Sequence, residues 1–184
     1  MFQTDQGYDF STLLGYDLVY LSGISVAILP QGARHALLDW LNKNPVRLAY
    51  DSNFRPRLWE DVKTAQEVTT AFWNRADICL PSIDDEMALF GETEEQVARR
   101  CLDFGKTGAL KRGAEGPLSL SAPVNQTYPS APIVVDTTAA GDSFNGGYLA
   151  SLLSGQTQAA ALAAGHACAA HVVQHRGAIV PKGA

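Results

Sequence analysis

The chain is poor in several things, and each shortage closes off a class of protein. It has only three cysteines, Cys79, Cys101 and Cys168. They are odd in number, far apart and without a C-x-x-C pair, so neither a zinc cage nor a disulfide framework is indicated. They read as small buried or half-buried residues in a reducing cytoplasm. No run approaches the roughly 18 apolar residues of a membrane span. The opening MFQTDQGYDFS lacks the basic and apolar regions of a secretion signal. The expected location is therefore cytoplasmic, with no membrane partner. Charged residues make up only 18%, and Lys and Arg total 14 against 19 Asp and Glu, a net charge of −5. That balance argues against a nucleic-acid partner, which needs a basic face. Internal repeats, low-complexity segments and a clear linker are also missing.

What remains is an ordinary globular composition, 46% hydrophobic over 184 residues, enough for one domain with a full core. Short apolar runs alternate with segments of helical spacing. Strands are expected over 16–23, 46–53, 76–82 and 131–135, with two more around a glycine turn within 108–122. Helices are expected over 30–42, 60–75, 84–90, 93–104, 139–154 and 157–174. In the 60–75 helix Val62, Ala65, Val68 and Phe72 fall in register. Thr93 and Gln96 have the spacing of a capping box. Strands separated by helices imply βαβ units, a mostly parallel sheet and an α/β fold. Ligands of such sheets gather at the carboxyl ends of strands. The turns at Ser22-Gly23, Asp51-Ser52-Asn53, Pro81-Ser82 and Lys111-Arg112-Gly113 all fall there.

One stretch carries chemistry more plainly than the others: DTTAAGDSFNGGYLASLLSG, 136–155. Small residues sit where a strand gives way to a helix, so a ligand can approach the backbone. The first N–H groups of the helix are free to meet an anion. A transferring phosphoryl group suits such a place, with Asp142 as the base beside the acceptor hydroxyl. On spacing alone a second reading stands equally: Asp142 as a helix-start carboxylate favoured by the dipole.

The same stretch resembles the D-T-x-G-A-G-D-x-F signature of the PfkB (ribokinase-like) carbohydrate kinases, standing here as Asp136-Thr137-Thr138-Ala139-Ala140-Gly141-Asp142-Ser143-Phe144. YDSNFRPRLW (50–59) is similar to the D-x-N-x-R-x-x-L-W stretch of the 2-keto-3-deoxygluconate kinases within that family. YLSGISVAIL (20–29) and QHRGAIVP (174–181) resemble that subfamily too. The resemblance implies a three-layer α/β/α, ribokinase-like fold with a mostly parallel sheet. It implies a single partial kinase domain over 1–184, the nucleotide-binding and catalytic half. The G-G-N sugar stretch, the first strands and the β lid have no counterpart here. The loss of strands is expected to leave an unpaired apolar sheet edge.

The family's roles then fall on particular residues. Asp142 is implied as general base, with the backbone of Ala139, Ala140 and Gly141 as anion hole. Ala139 stands where the motif has its first glycine, and alanine resists positive φ, so no left-handed residue is expected there. Arg55 is implied at the sugar carboxylate and the phosphates, a task suited to a guanidinium fork. Asn53 would face the nucleotide from the same turn. Gly23 and Ile24 match sugar-pocket positions, although Ile24 alone reads as core. Trp59 reads as a core anchor and Arg57 as a surface residue. Lys111, Gly113 and Gly116 would line the nucleotide, or else form an ordinary hairpin turn. Asp85 matches a magnesium-linked position, with Ser82 replacing an asparagine. Asp136 reads as a monovalent-cation ligand or, preferably, as a brace for its own turn. His166, His171 and His175 read as surface or partly buried residues. Where some relatives carry an acidic residue that contacts the sugar, this chain has Ala178.

The implied reaction is transfer of the γ-phosphoryl of ATP, with Mg2+, to the C6 hydroxyl of the sugar acid 2-keto-3-deoxygluconate. Two alternatives are a PfkB kinase for another sugar and a nucleotide-binding module without turnover. Members of the family often pair through the lid, so a homo-oligomer stays open but cannot be carried over to a chain whose resemblance begins after it.

Overall fold

The computed structural model describes residues 3–4 and 7–180. The chain divides into two compact units, Met1–Gly108 and Ala109–Ala184.

The first unit opens with a small antiparallel pair, β1 (Gln3–Thr4) and β2 (Gly7–Tyr8). Strands and helices then alternate: β3 (Val19–Ser22), α1 (Gly23–Ala27), α2 (Gln31–Lys43), β4 (Leu48–Asp51), α3 (Val62–Arg75), β5 (Ile78–Leu80), α4 (Ile83–Phe90), α5 (Glu94–Leu102) and β6 (Thr107–Leu110). β3 runs parallel to β4 with Val19 opposite Leu48. β4 is parallel to β5, and Thr107 and Gly108 of β6 are parallel to β5. Every residue of β4 and β5 is buried. That is the mark of strands covered on both faces, and it explains why these runs lack an alternating pattern.

The core of this unit gathers around Tyr50. Its ring lies 4.6 Å from that of Trp73 and 5.3 Å from that of Phe72. Burial pushes the Tyr50 hydroxyl far above its usual range. The face of α3 is not quite the expected one. Val62 is exposed, and the inward residues are Ala65, Thr69, Phe72 and Trp73. Asp61 caps the helix by accepting the Thr64 N–H at 2.7 Å, which puts Val62 in the solvated first turn. The Thr93–Gln96 capping box forms as read.

Two arginines, Arg34 buried and Arg100 half-buried, tie the unit together. Arg34 is 3% exposed. Its Nε donates to Val26 O at 3.0 Å and its Nη2 to Ala27 O at 2.6 Å, closing the end of α1. Its Nη1 meets Glu60 at 2.9 Å, and its guanidinium lies over the Trp59 ring, 5.0 Å from the centroid. Trp59 is accordingly buried and Arg57 exposed. Arg100 joins Glu86 Oε2 at 3.0 Å to Glu92 Oε2 at 2.7 Å.

The second unit begins within β6. Ala109 and Leu110 pair antiparallel with β7 (Leu118–Ser119). The strand order is thus β3-β4-β5-β6-β7, with β3 at one end. Two helices follow, α6 (Ala140–Leu153) and α7 (Gln158–Val172), packed on each other. The Tyr148 hydroxyl donates to Gln158 Oε1 at 2.8 Å, and Gln158 Nε2 to Ser119 Oγ at 3.1 Å.

The strand expected over 131–135 does not form. Ile133, Val134 and Val135 are exposed, and the segment has no ladder among the described residues. Its anchor is the N–H of Val135, which donates to Val173 O at 2.7 Å. β-branched residues favour strands only where a neighbouring strand offers a ladder. The cysteine reading also needs one correction: Cys79 and Cys101 are buried, but Cys168 is exposed. Burial pushes the Cys79 thiol up to about 12.

Arg34→Ala leaves two buried carbonyls and Glu60 without their donor. The expected loss is about 3 kcal/mol, read as a lower urea midpoint with an unchanged slope.

Candidate active site

The candidate residues fall into a group on each unit. On the second unit the turn into α6 is built from Asp136. Its Oδ1 accepts the Thr138 N–H at 2.8 Å and its Oδ2 accepts the Gly177 N–H at 2.9 Å. Hydrogen bonds from the Thr138 side chain, then from Gly177, hold its pKa down at about 2. With both oxygens bonded to main-chain donors, we assign Asp136 the bracing role.

The Ala140 N–H donates to Thr137 O at 3.1 Å, and the Ser143 N–H to Ala139 O at 2.9 Å. Between them Ala139 is left-handed, with φ 61° and ψ 14°. This overturns the expectation that the turn avoids that conformation. Asp136 fixes the turn from one side and α6 continues it on the other, so the strain at Ala139 is imposed by its neighbours. Such a conformation costs a residue with a Cβ about 1–2 kcal/mol. Among the described residues the N–H groups of Gly141 and Asp142 find no acceptor, and nothing bonds the Asp142 carboxylate. Asp142 is exposed in the first turn.

Lys111 leads out of β6 towards this turn. It is 9% exposed. Its Nζ donates to Asn145 Oδ1 at 3.2 Å and lies 3.8 Å from where a Cβ on Gly141 would stand. Gly113 and Gly116 bound a 3-10 turn, both at positive φ. Gly116 has a further constraint, since a Cβ there would stand 2.5 Å from the Tyr128 ring.

On the first unit, Gly23 begins α1 hard against the turn that ends β4. A Cβ on Gly23 would lie 1.9 Å from Ser52 O and 3.2 Å from Asn53 O. Asn53 takes φ 32°, a conformation asparagine tolerates better than most residues. Ser52 Oγ accepts the Ser82 N–H at 2.9 Å, which joins the β4 and β5 turns. Ile24 is half-buried, so it is not closed within the core. The Arg55 side chain is 54% exposed; its Nη1 donates to Phe54 O at 2.8 Å and lies 3.5 Å from Asp85 Oδ1.

The sequence reading missed Glu86 and Asn145. Glu86 is fully buried beside Arg100, and burial raises its pKa against the pull of that arginine. The signal was the run Asp84-Asp85-Glu86. Three successive helical positions span most of a turn, so one of the three faces inward. Asn145 is 2% exposed; its polar side chain on the inner face of an apolar helix was the available hint. His166 is buried, with Nε2 2.9 Å from Pro129 O. His171 and His175 approach each other, ring centroids 5.1 Å apart. No group of three or more metal-ligating side chains occurs among the described residues.

Residues 2–183 match the model of the pfkB family carbohydrate kinases. The chain belongs to that family. It is 40% identical over 180 residues to a 2-dehydro-3-deoxygluconokinase of Escherichia coli strain K12, covering 92% of this chain and 58% of that protein. Among solved structures, a PfkB protein from Polaromonas sp. JS666 superposes with a TM-score of 0.74 at 27% identity, covering 92% of this chain and 57% of that one. An aminoimidazole riboside kinase from Salmonella enterica, solved with aminoimidazole riboside and an ATP analogue, gives a TM-score of 0.72 at 31% identity, covering 89% and 58%. The fold is ribokinase-like α/β/α with a mostly parallel sheet. The chain spans under three fifths of the length of these pfkB relatives.

Ala139→Gly removes the Cβ penalty at φ 61°. After the extra freedom glycine gives the unfolded chain, a net stabilisation of about 0.5–1 kcal/mol is expected. Denaturant unfolding of the two proteins measures it.

Proposed function

We propose that the chain is the nucleotide-binding and catalytic portion of an ATP-dependent sugar acid kinase. It moves the γ-phosphoryl of ATP to the C6 hydroxyl of 2-keto-3-deoxygluconate. The observation that carries this reading is the start of α6. Among the described residues, two N–H groups without acceptors and the unbonded Asp142 carboxylate share one exposed turn. Phosphoryl transfer asks for this combination of fixed donors for the phosphate and a group to take the hydroxyl proton.

Asp142 accepts the proton of the sugar hydroxyl as that oxygen attacks phosphorus. The backbone of Ala139, Ala140 and Gly141 stabilises the charge on the phosphoryl oxygens. Lys111 and the Gly113–Gly116 turn hold the nucleotide, and Asn53 is assigned to nucleotide contact by the family motif it stands in. Gly23 and Ile24 line the sugar pocket. Arg55, with an exposed guanidinium, grips the substrate carboxylate in a two-pronged contact.

Magnesium is usually held by one or two carboxylates together with substrate phosphates. Asp85 fits that pattern as a single carboxylate holding a metal-bound water, because Arg55 already stands 3.5 Å from it. When bound with ATP, the ion spreads the phosphate charge. A monovalent cation is not needed for the turn that Asp136 braces.

The choice of sugar acid rests on the FRPRLW stretch and on the similarity to 2-dehydro-3-deoxygluconokinases. The similarity to the riboside kinase keeps a second reading in view, a family member for another sugar. A panel of sugar acids and neutral sugars in a coupled ADP-release assay separates the two. Asp142→Asn is expected to lower kcat by about 10²- to 10⁴-fold while ATP affinity stays nearly intact. ATP binding without any turnover in the parent chain favours a binding module. Equal turnover in parent and variant removes Asp142 from the role of base.

A further inference from the structure

The end of α7 carries two histidines that the proposed phosphoryl transfer does not use. His171 and His175 stand four residues apart, and their ring centroids lie 5.1 Å from each other. The helix ends at Val172, but the chain keeps turning. The Gln174 N–H donates to His171 O at 3.2 Å and the His175 N–H to Val172 O at 3.0 Å. His175 is thereby held about one turn beyond His171. Two histidines at this spacing on one face are the pair with which a zinc-binding helix holds its ion. With zinc–nitrogen bonds of about 2.0–2.1 Å, two imidazoles that share one tetrahedral ion have ring centres about 5 Å apart. The rings here are inclined at 64° rather than stacked. His171 is exposed and His175 half-buried. Among the described residues, neither imidazole has a hydrogen bond or an ion pair.

The donors decide the kind of ion. Imidazole suits zinc, nickel and copper, whereas magnesium and calcium prefer oxygen. We infer that His171 and His175 chelate a transition-metal dication of the zinc type, with water completing its shell, and that the ion clamps the end of α7. The clamp has a target. Val173, between the two histidines, accepts the N–H of Val135 at 2.7 Å and that of Asp136 at 3.2 Å. Gly177, two residues past the second histidine, donates to Asp136 Oδ2 at 2.9 Å. A bound ion therefore fixes the backbone on which the Asp136 brace rests. The charge of Arg176 acts on Asp136, alongside the larger effects of the Thr138 and Gly177 hydrogen bonds. Cys168, nearly one turn before His171, is turned towards α6: its Sγ lies 2.7 Å from where a Cβ on Gly147 would stand. Neither histidine takes part in the proposed transfer, so the metal site does not depend on the kinase reading.

Calorimetric titration of the chain with Zn2+ tests it, with thermal unfolding alongside. Zn2+ is expected to bind, to resist displacement by excess Mg2+ and to raise the unfolding temperature. Loss of even an outer partner of a metal ligand costs about 10- to 100-fold in affinity, so His171→Ala and His175→Ala should each lower zinc affinity by at least that much. Cys168→Ser should bind zinc like the parent. A parent chain that binds no zinc overturns the inference. So does a folded histidine variant that binds like the parent, or an equal loss in Cys168→Ser. If a histidine variant does not fold, the imidazole nitrogen signals of the 15N-labelled parent decide. Both His171 and His175 must shift with zinc, and a shift at one or neither overturns the chelate. The amides of Val135, Asp136 and Gly177 should exchange with solvent more slowly when the ion is bound. Unchanged exchange at saturating zinc overturns the clamp.

Discussion

The brace that Asp136 makes is the interaction on which the start of α6 depends. One carboxylate takes N–H groups from Thr138 and from Gly177, 41 residues away along the chain. It thereby fixes the turn at both ends and forces Ala139 into a left-handed conformation. That conformation swings the chain so that α6 begins at Ala140 with its N–H groups facing out. A phosphate site made of backbone donors needs this kind of rigidity, since donors that must reorganise lose much of their effect. The brace holds at neutral pH because Asp136 titrates at about 2.

The first unit relies on a related device, the burial of charge against main-chain carbonyls. Arg34 closes the end of α1 and holds Glu60 and Trp59. Gly23 at the other end of α1 touches the Ser52–Asn53 turn. The short helix is thus pinned at both ends, and with it the place where the sugar is proposed to bind. Glu86 and Arg100 hold α4 to α5 behind Asp85. Buried ion pairs are weak contributors to net stability but costly to break on one side, and so they favour a single arrangement of the turns they join.

Much of this was legible in the sequence. The alternation of strands and helices, the Thr93–Gln96 box and the small-residue turn before Asp142 are local patterns, and each appears in the structure near its expected place. The misreadings came where a residue's state is set by distant partners. Ile133, Val134 and Val135 have strand composition, yet only a neighbouring strand could make them one. Ala139 is strained because Gly177 holds Asp136, which no local pattern reveals. Glu86 is buried beside Arg100 of the next helix, a pairing that no local pattern reveals. Asn145 stood in plain sight within the signature stretch, but its bond to the ammonium of Lys111, 34 residues back along the chain, is not a local pattern.

The central claim is that the turn from Thr137 to Asp142 and the neighbouring Gly113–Gly116 turn form a nucleotide phosphate site on the second unit. Its most direct test is a titration of the 15N-labelled chain with ATP and magnesium, followed by amide shifts. The account predicts saturable shifts concentrated at Ala140, Gly141, Asp142 and the Gly113–Gly116 amides. Saturable shifts centred elsewhere, or none at all in a folded chain, would contradict it.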